Sequence, residues 1–183
     1  MLLENHYHLF IEKFDMKSIE LLEQISENNL ETNFYLLIDA AKEPLFIKKW
    51  LKKIPQKKIV QIGNLFEGTI DETTPLEVSP LLVRINSELK YEIETQLLVN
   101  NDSEMFSIIE TTLSRYELIN HLQPFLQAEL PNGELALFRF YDPSIVKILN
   151  KMLDEENFVL LTTPIKNWWY QSSDNNYLSL KSN

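Results

Sequence analysis

Leu-Ala-Leu-Phe-Arg-Phe-Tyr-Asp-Pro-Ser occupies residues 135–144. It reads as a strand running into a helix. Leu135, Leu137, Arg139 and Tyr141 would share one face, and Ala136, Phe138 and Phe140 the other. Asp142 is a good N-cap, and Pro143 suits the first helical position, where a missing N–H costs nothing. Apolar residues on both faces predict a strand covered on both sides. Arg139 lies inside this run and needs a partner if it is buried.

Upstream, Phe34–Ile38 is a continuous apolar run ending at Asp39, and Leu81-Leu82-Val83-Arg84-Ile85 reads as a further strand. Phe34–Ile38 reads as a central strand with parallel neighbours. The expected fold is therefore α/β: a mixed, largely parallel central sheet with helices on both faces, plus a C-terminal hairpin-helix segment. Helices are expected over 17–30, 44–54, 88–98, 114–126, 143–153 and 155–161, and strands over 58–62 and 105–109. Pro131–Glu134 is a hairpin turn in which Gly133 supplies positive φ. The expected organisation is a helical extension over 1–32, an α/β domain over 33–170 and a polar tail over 171–183.

Composition narrows the function. With 183 residues, 44% of them hydrophobic, the chain can build one sizeable core. It has no cysteine, which excludes thiol catalysis and cysteine-held metals. No apolar run approaches the roughly 20 residues of a membrane helix, and the start lacks the pattern of a signal peptide. A cytoplasmic protein without membrane insertion is expected. The net charge of −10 argues against nucleic acid as a partner. Yet residues 42–58 carry seven lysines against Glu43 alone. Lys48, Lys49 and Lys52 lie on the outer face of the helix opened by Pro44, either as a docking surface for an acidic partner or simply as a solvated face.

Catalytic and ligand-binding motifs are weak. Gly63–Thr69 resembles a phosphate loop only superficially, because the lysine is missing. Three glycines in the whole chain exclude a dinucleotide fingerprint. Gly68 reads instead as a turn glycine, with Phe66 packing inward. His6 and His8 have no third metal ligand near them, and His121 reads as a packed or rim residue. No cofactor or metal is expected.

Arginine is scarce: Arg84, Arg115 and Arg139, two of them inside apolar strands. Arg139 or Arg84 is expected to pair with an acid such as Asp39 or Asp142. An enzyme with Asp39, Arg139 and Asp142 lining a strand-end cleft is the alternative function. It lacks a nameable nucleophile–base pair, so a non-enzymatic role is the expectation.

In order along the chain, Phe34–Ala40, Leu65-Phe66-Glu67-Gly68-Thr69, Pro80–Arg84, His121-Leu122, Pro131-Asn132-Gly133 and Phe138-Arg139-Phe140-Tyr141-Asp142-Pro143 resemble one family. It is the type VI secretion effector-adaptor chaperones, the Tap or TEC proteins, long described as a domain of unknown function. Pro164-Ile165 followed by Trp168 resembles the family's closing segment, with Thr163 where glycine is usual. Ala40 stands where glycine is frequent, and 99–104 lacks the usual tryptophan-glycine pair. The resemblance covers about residues 33–170, and the Phe-Arg-Phe-Tyr-Asp-Pro run is its most specific part. It implies a cytoplasmic adaptor of a Gram-negative bacterium, monomeric when free, that holds a toxic effector and delivers it to the VgrG spike. Phe66, Trp168, Trp169 and Tyr170 are the candidate contact residues, since tryptophan and tyrosine dominate interface hot spots. The Trp-Trp-Tyr cluster reads more readily as a plug closing the end of the core, because one of two adjacent tryptophans normally points inward.

Overall fold

The computed structural model describes residues 13–14, 32–85, 89, 93, 104–171 and 177–180. The helices expected over 17–30 and 88–98, and the extension over 1–32, lie almost entirely outside these residues.

The strands are β1 (Lys13–Phe14), β2 (Asn33–Asp39), β3 (Ile62–Asn64), β4 (Pro80–Arg84), β5 (Phe106–Thr111), β6 (Gln127–Glu129), β7 (Leu135–Leu137), β8 (Ile165–Gln171) and β9 (Tyr177–Leu180). The helices are α1 (Pro44–Lys53), α2 (Gln56–Ile59), α3 (Arg115–Leu122), α4 (Pro143–Val146), α5 (Leu149–Met152) and α6 (Glu155–Thr162), with short 3-10 turns at Ala40–Lys42, Leu76–Val78 and Gln123–Leu126.

Seven strands form one sheet in the order β1-β9-β8-β5-β2-β4-β3. Every described pairing in it is antiparallel. The expected largely parallel α/β sheet is therefore wrong. The physical reason is that a continuous apolar run reports burial on both faces and carries no information about strand direction. At the centre, Leu36 of β2 faces Ile108 of β5 on one side and Val83 of β4 on the other.

The pleat divides the core. Phe34, Leu36, Ile38, Leu81, Val83 and Ile108 face one side, where α1 lays down Ile47 and Trp50, with Ile54 just beyond it. Tyr35, Leu37, Leu82 and Ile109 face the other, against Leu118 and Leu122 of α3, Val146, Leu149 and Leu161. Ser114 caps α3 through a full capping box with Glu117, which explains its abrupt start. α3 sits close on β3 at Gly63: a Cβ there would meet Ile119 Cδ1 at 2.6 Å, and that side-chain end would have to shift.

Residues 135–144 do not form a central strand. Only Leu135–Leu137 is extended, and it pairs with β6 in a separate two-stranded hairpin. The turn holds Gly133 at φ 82°, as its sequence requires. The chain then bends, burying Phe140 and Tyr141 before Asp142 caps α4. The strand expected at 58–62 is displaced to Ile62–Asn64, with a helical turn before it. Conversely, β8 and β9 supply two sheet strands from sequence read as a closing segment and a polar tail.

Candidate functional site

β2 ends in Asp39, whose backbone N–H donates to the Met105 carbonyl at 2.7 Å. The side chain is wholly buried. Its Oδ2 accepts from Arg139 Nη2 at 2.5 Å, while Oδ1 is buried with no hydrogen-bond partner among the described residues. The Arg139 side chain is 43% exposed, and its Cζ lies 6.0 Å from the centroid of the Tyr141 ring. One turn beyond Asp39, Lys42 Nζ donates to Asp142 Oδ1 at 2.6 Å and to the Glu104 carbonyl at 2.8 Å. Asp142 Oδ1 also accepts from the Ser144 backbone N–H and hydroxyl, each at 2.8 Å. Two ion pairs, one from each side of the bend, thus fasten Phe138–Pro143 to the end of β2.

Electrostatics differ sharply within this cluster. Burial pushes the Asp39 carboxyl up, and the Arg139 hydrogen bond offsets only part of that. Arg139 is itself part-buried, which lowers it, but the hydrogen bond and charge of Asp39 carry it upward on balance. Burial also acts upward on Asp142, yet the hydrogen bonds from Lys42 and Ser144 win and hold it below the usual carboxylate range. The Tyr141 hydroxyl is pushed up to about 12, first by burial and then by the Asp39 charge. These groups therefore serve one another: the acids accept, the cations donate, and the phenol stays neutral.

The expected pairing of Arg139 with Asp39 is present. Arg84 lies exposed at the end of β4, opposite Tyr35 in register. Gly68 adopts φ 75° in the turn after β3; nothing crowds it, so its backbone conformation alone requires glycine. Pro143 is buried in the first turn of α4.

The aromatic contact candidates are core residues. Phe66 is buried and meets Tyr141 edge-on at 6.5 Å. Trp168 is buried on one face of β8, donating its indole N–H to Ser107 Oγ at 2.8 Å and standing edge-on to Phe140 at 6.3 Å. Trp169 points to the opposite face and stacks on Phe34 at 6.4 Å. Tyr170 is buried beside the first face, and burial pushes its hydroxyl up. Of the two readings of this cluster, packing is the one its burial agrees with: consecutive residues of a strand point to opposite faces, and here both faces are covered.

The lysine residues divide. Lys42 turns inward to Asp142, a role its place in a lysine-rich stretch did not reveal. Lys48 pairs with Glu77 at 2.9 Å, while Lys49 and Lys52 stand exposed on α1. His121 Nε2 lies 2.9 Å from the Leu161 carbonyl, a packing role between α3 and α6. Among the described residues no three His, Asp or Glu side chains gather to hold a metal ion, and no helix is long and apolar enough to cross a membrane.

No curated protein and no solved structure matches the chain. Residues 34–158 match the family described as a domain of unknown function, DUF4123. The match begins in β2 and ends in α6, so it contains Asp39, Lys42, Phe66, Arg139 and Asp142 and stops short of the Trp168–Tyr170 strand. With more than half of its length matched, the chain belongs to the DUF4123 family.

Proposed function

We propose that this chain is a cytoplasmic adaptor-chaperone of type VI secretion, which binds a toxin effector and loads it onto the VgrG spike without making or breaking a covalent bond. One observation carries the reading: each acid at the end of β2 accepts a hydrogen bond from a neighbouring cation, Asp39 through Oδ2 and Asp142 through Oδ1. Arg139 is directed at Asp39, and Lys42 and Ser144 at Asp142. That arrangement fastens the most family-specific run, Phe138–Pro143, to the sheet. Membership of DUF4123 supports the reading, as does the order of family-like segments along the chain.

The alternative enzyme draws on one feature, a buried carboxyl shifted upward beside a part-exposed guanidinium. Co-expression separates the two. The adaptor, tagged and expressed with the products of its neighbouring genes, is expected to co-purify with a toxin and with a spike protein. Recovery of the chain alone, with both candidate partners soluble in the same lysate, would refute the proposal.

A further inference from the structure

The outward side of α1 carries a cluster of lysines, and α2 adds Lys57. Lys49, Lys52, Lys53 and Lys57 are exposed and form no ion pair among the described residues. They sit three, one and four residues apart, and Lys52 and Lys53 follow Lys49 at i+3 and i+4, so those on α1 share one side of the helix. The inward side of α1 is already committed, with Ile47 and Trp50 buried against the sheet. The lysines are bracketed along the chain by two exposed apolar residues, Leu45 at 75% and Val60 at 69% exposure. The 3-10 turn beside α1 places Glu77 on Lys48, an internal example of a carboxylate received by this face.

Resting on the adaptor reading, we infer that this face docks an acidic amphipathic segment of the carried protein, its carboxylates meeting Lys49, Lys52, Lys53 and Lys57 and its apolar side chains meeting Leu45 and Val60. Charge range selects this occupant. Exposed charges are screened beyond about 8–10 Å, so a short acidic segment feels the lysines and little else. A nucleic acid or an anionic membrane would extend past the patch over a chain whose net charge is −10. The isolated Leu45 and Val60 match apolar anchors on a peptide better than a phosphate backbone.

The test uses the full chain and three probes: a labelled helical peptide of glutamate–leucine repeats, a single-stranded oligonucleotide, and vesicles of phosphatidylglycerol and phosphatidylcholine in equal parts. The peptide is expected to bind most tightly, and more weakly as salt rises. Its affinity is expected to fall about tenfold or more in Lys49→Glu/Lys52→Glu/Lys53→Glu, and to stay within about twofold in the matching arginine variant. Failure of the wild type to bind the peptide, unchanged affinity on charge reversal, or tighter binding of oligonucleotide or vesicles would each overturn the inference. In co-expression, a folded charge-reversed variant that still carried the toxin would sink this docking face while leaving the adaptor reading intact. A wild type that carried no toxin would sink the adaptor reading itself.

Discussion

β8 and β7 are both short strands rich in apolar side chains, and they have opposite fates. β8 lies between β9 and β5, so Trp168 and Trp169 enter separate halves of the core. β7 has β6 as its one partner, at the end of a hairpin, and leaves Leu135 66% and Leu137 46% exposed. Apolar content alone does not decide burial. What decides it is whether a strand has neighbours on both edges and cover on both faces, and a two-stranded ribbon has neither. Bulk adds to this, because a tryptophan removes far more surface from water than a leucine.

The sharpest way to break the contrast is Trp168→Ala. It would empty a buried, hydrogen-bonded ring site and should cost about 3–5 kcal/mol in chemical denaturation. Leu135→Ala, at the other pole, should stay within about 0.5 kcal/mol. Equal losses at the two positions would mean that β8 does not hold the core as described.

Arg139→Met comes next. It leaves the buried Asp39 carboxylate uncompensated and should cost about 2–3 kcal/mol, less than a fully buried pair because Arg139 is part-exposed. Denaturation in parallel with wild type measures it, and an unchanged midpoint would remove the ion pair from the account. Gly68→Ala should follow at about 1 kcal/mol, the penalty of a side chain at φ 75°.

The two carboxylates of the strand-end cluster make the finest distinction, because their pH dependences have opposite signs. Asp142 is held below its unfolded value, so its contribution is present above that value and is lost as pH falls through the folded one. Asp39 is held above its unfolded value, so the folded state is favoured at low pH and loses that advantage as pH rises through the folded value. Measured against pH, Asp142→Asn should lose less stability than wild type on acidification, and Asp39→Asn should lose less on moving from acid to neutral pH. The same slope change in both variants would contradict the assignment.

Much of this architecture was legible because local chemistry dictates it. The Pro131–Glu134 turn, the Asp142 cap and the apolar stripe of α1 follow from short-range rules about φ, helix caps and helical periodicity, whereas the pairing of Arg139 with Asp39, 100 residues apart, is one of several that the need of a buried charge left open. Strand direction was not legible: Phe34–Ile38 is equally apolar whichever way its neighbours run. Residues 135–141 misled because alternation cannot separate a sheet strand from a hairpin whose aromatic end bends inward. Trp168-Trp169-Tyr170 carried a usable signal in its high β-propensity, and the hot-spot preference of these residue types pointed the other way. Lys42 was hidden among neighbours that face solvent, since only the tertiary approach of α4 tells it apart from Lys49.

With the aromatic strand committed to the core, the adaptor reading proposed above turns to the lysine face of α1 as the surface that would hold another protein. The most direct measurement of that reading co-expresses the proposed toxin partner with wild type, with Arg139→Met and with Lys49→Glu/Lys52→Glu/Lys53→Glu. Partner recovered per folded adaptor is then quantified below the unfolding midpoint of each. Undiminished capture by the arginine variant, with capture lost in the charge reversal, is the predicted result. Capture abolished in a folded Arg139→Met and untouched by the reversal would mean that the Asp39–Arg139 end of the sheet is the working site after all.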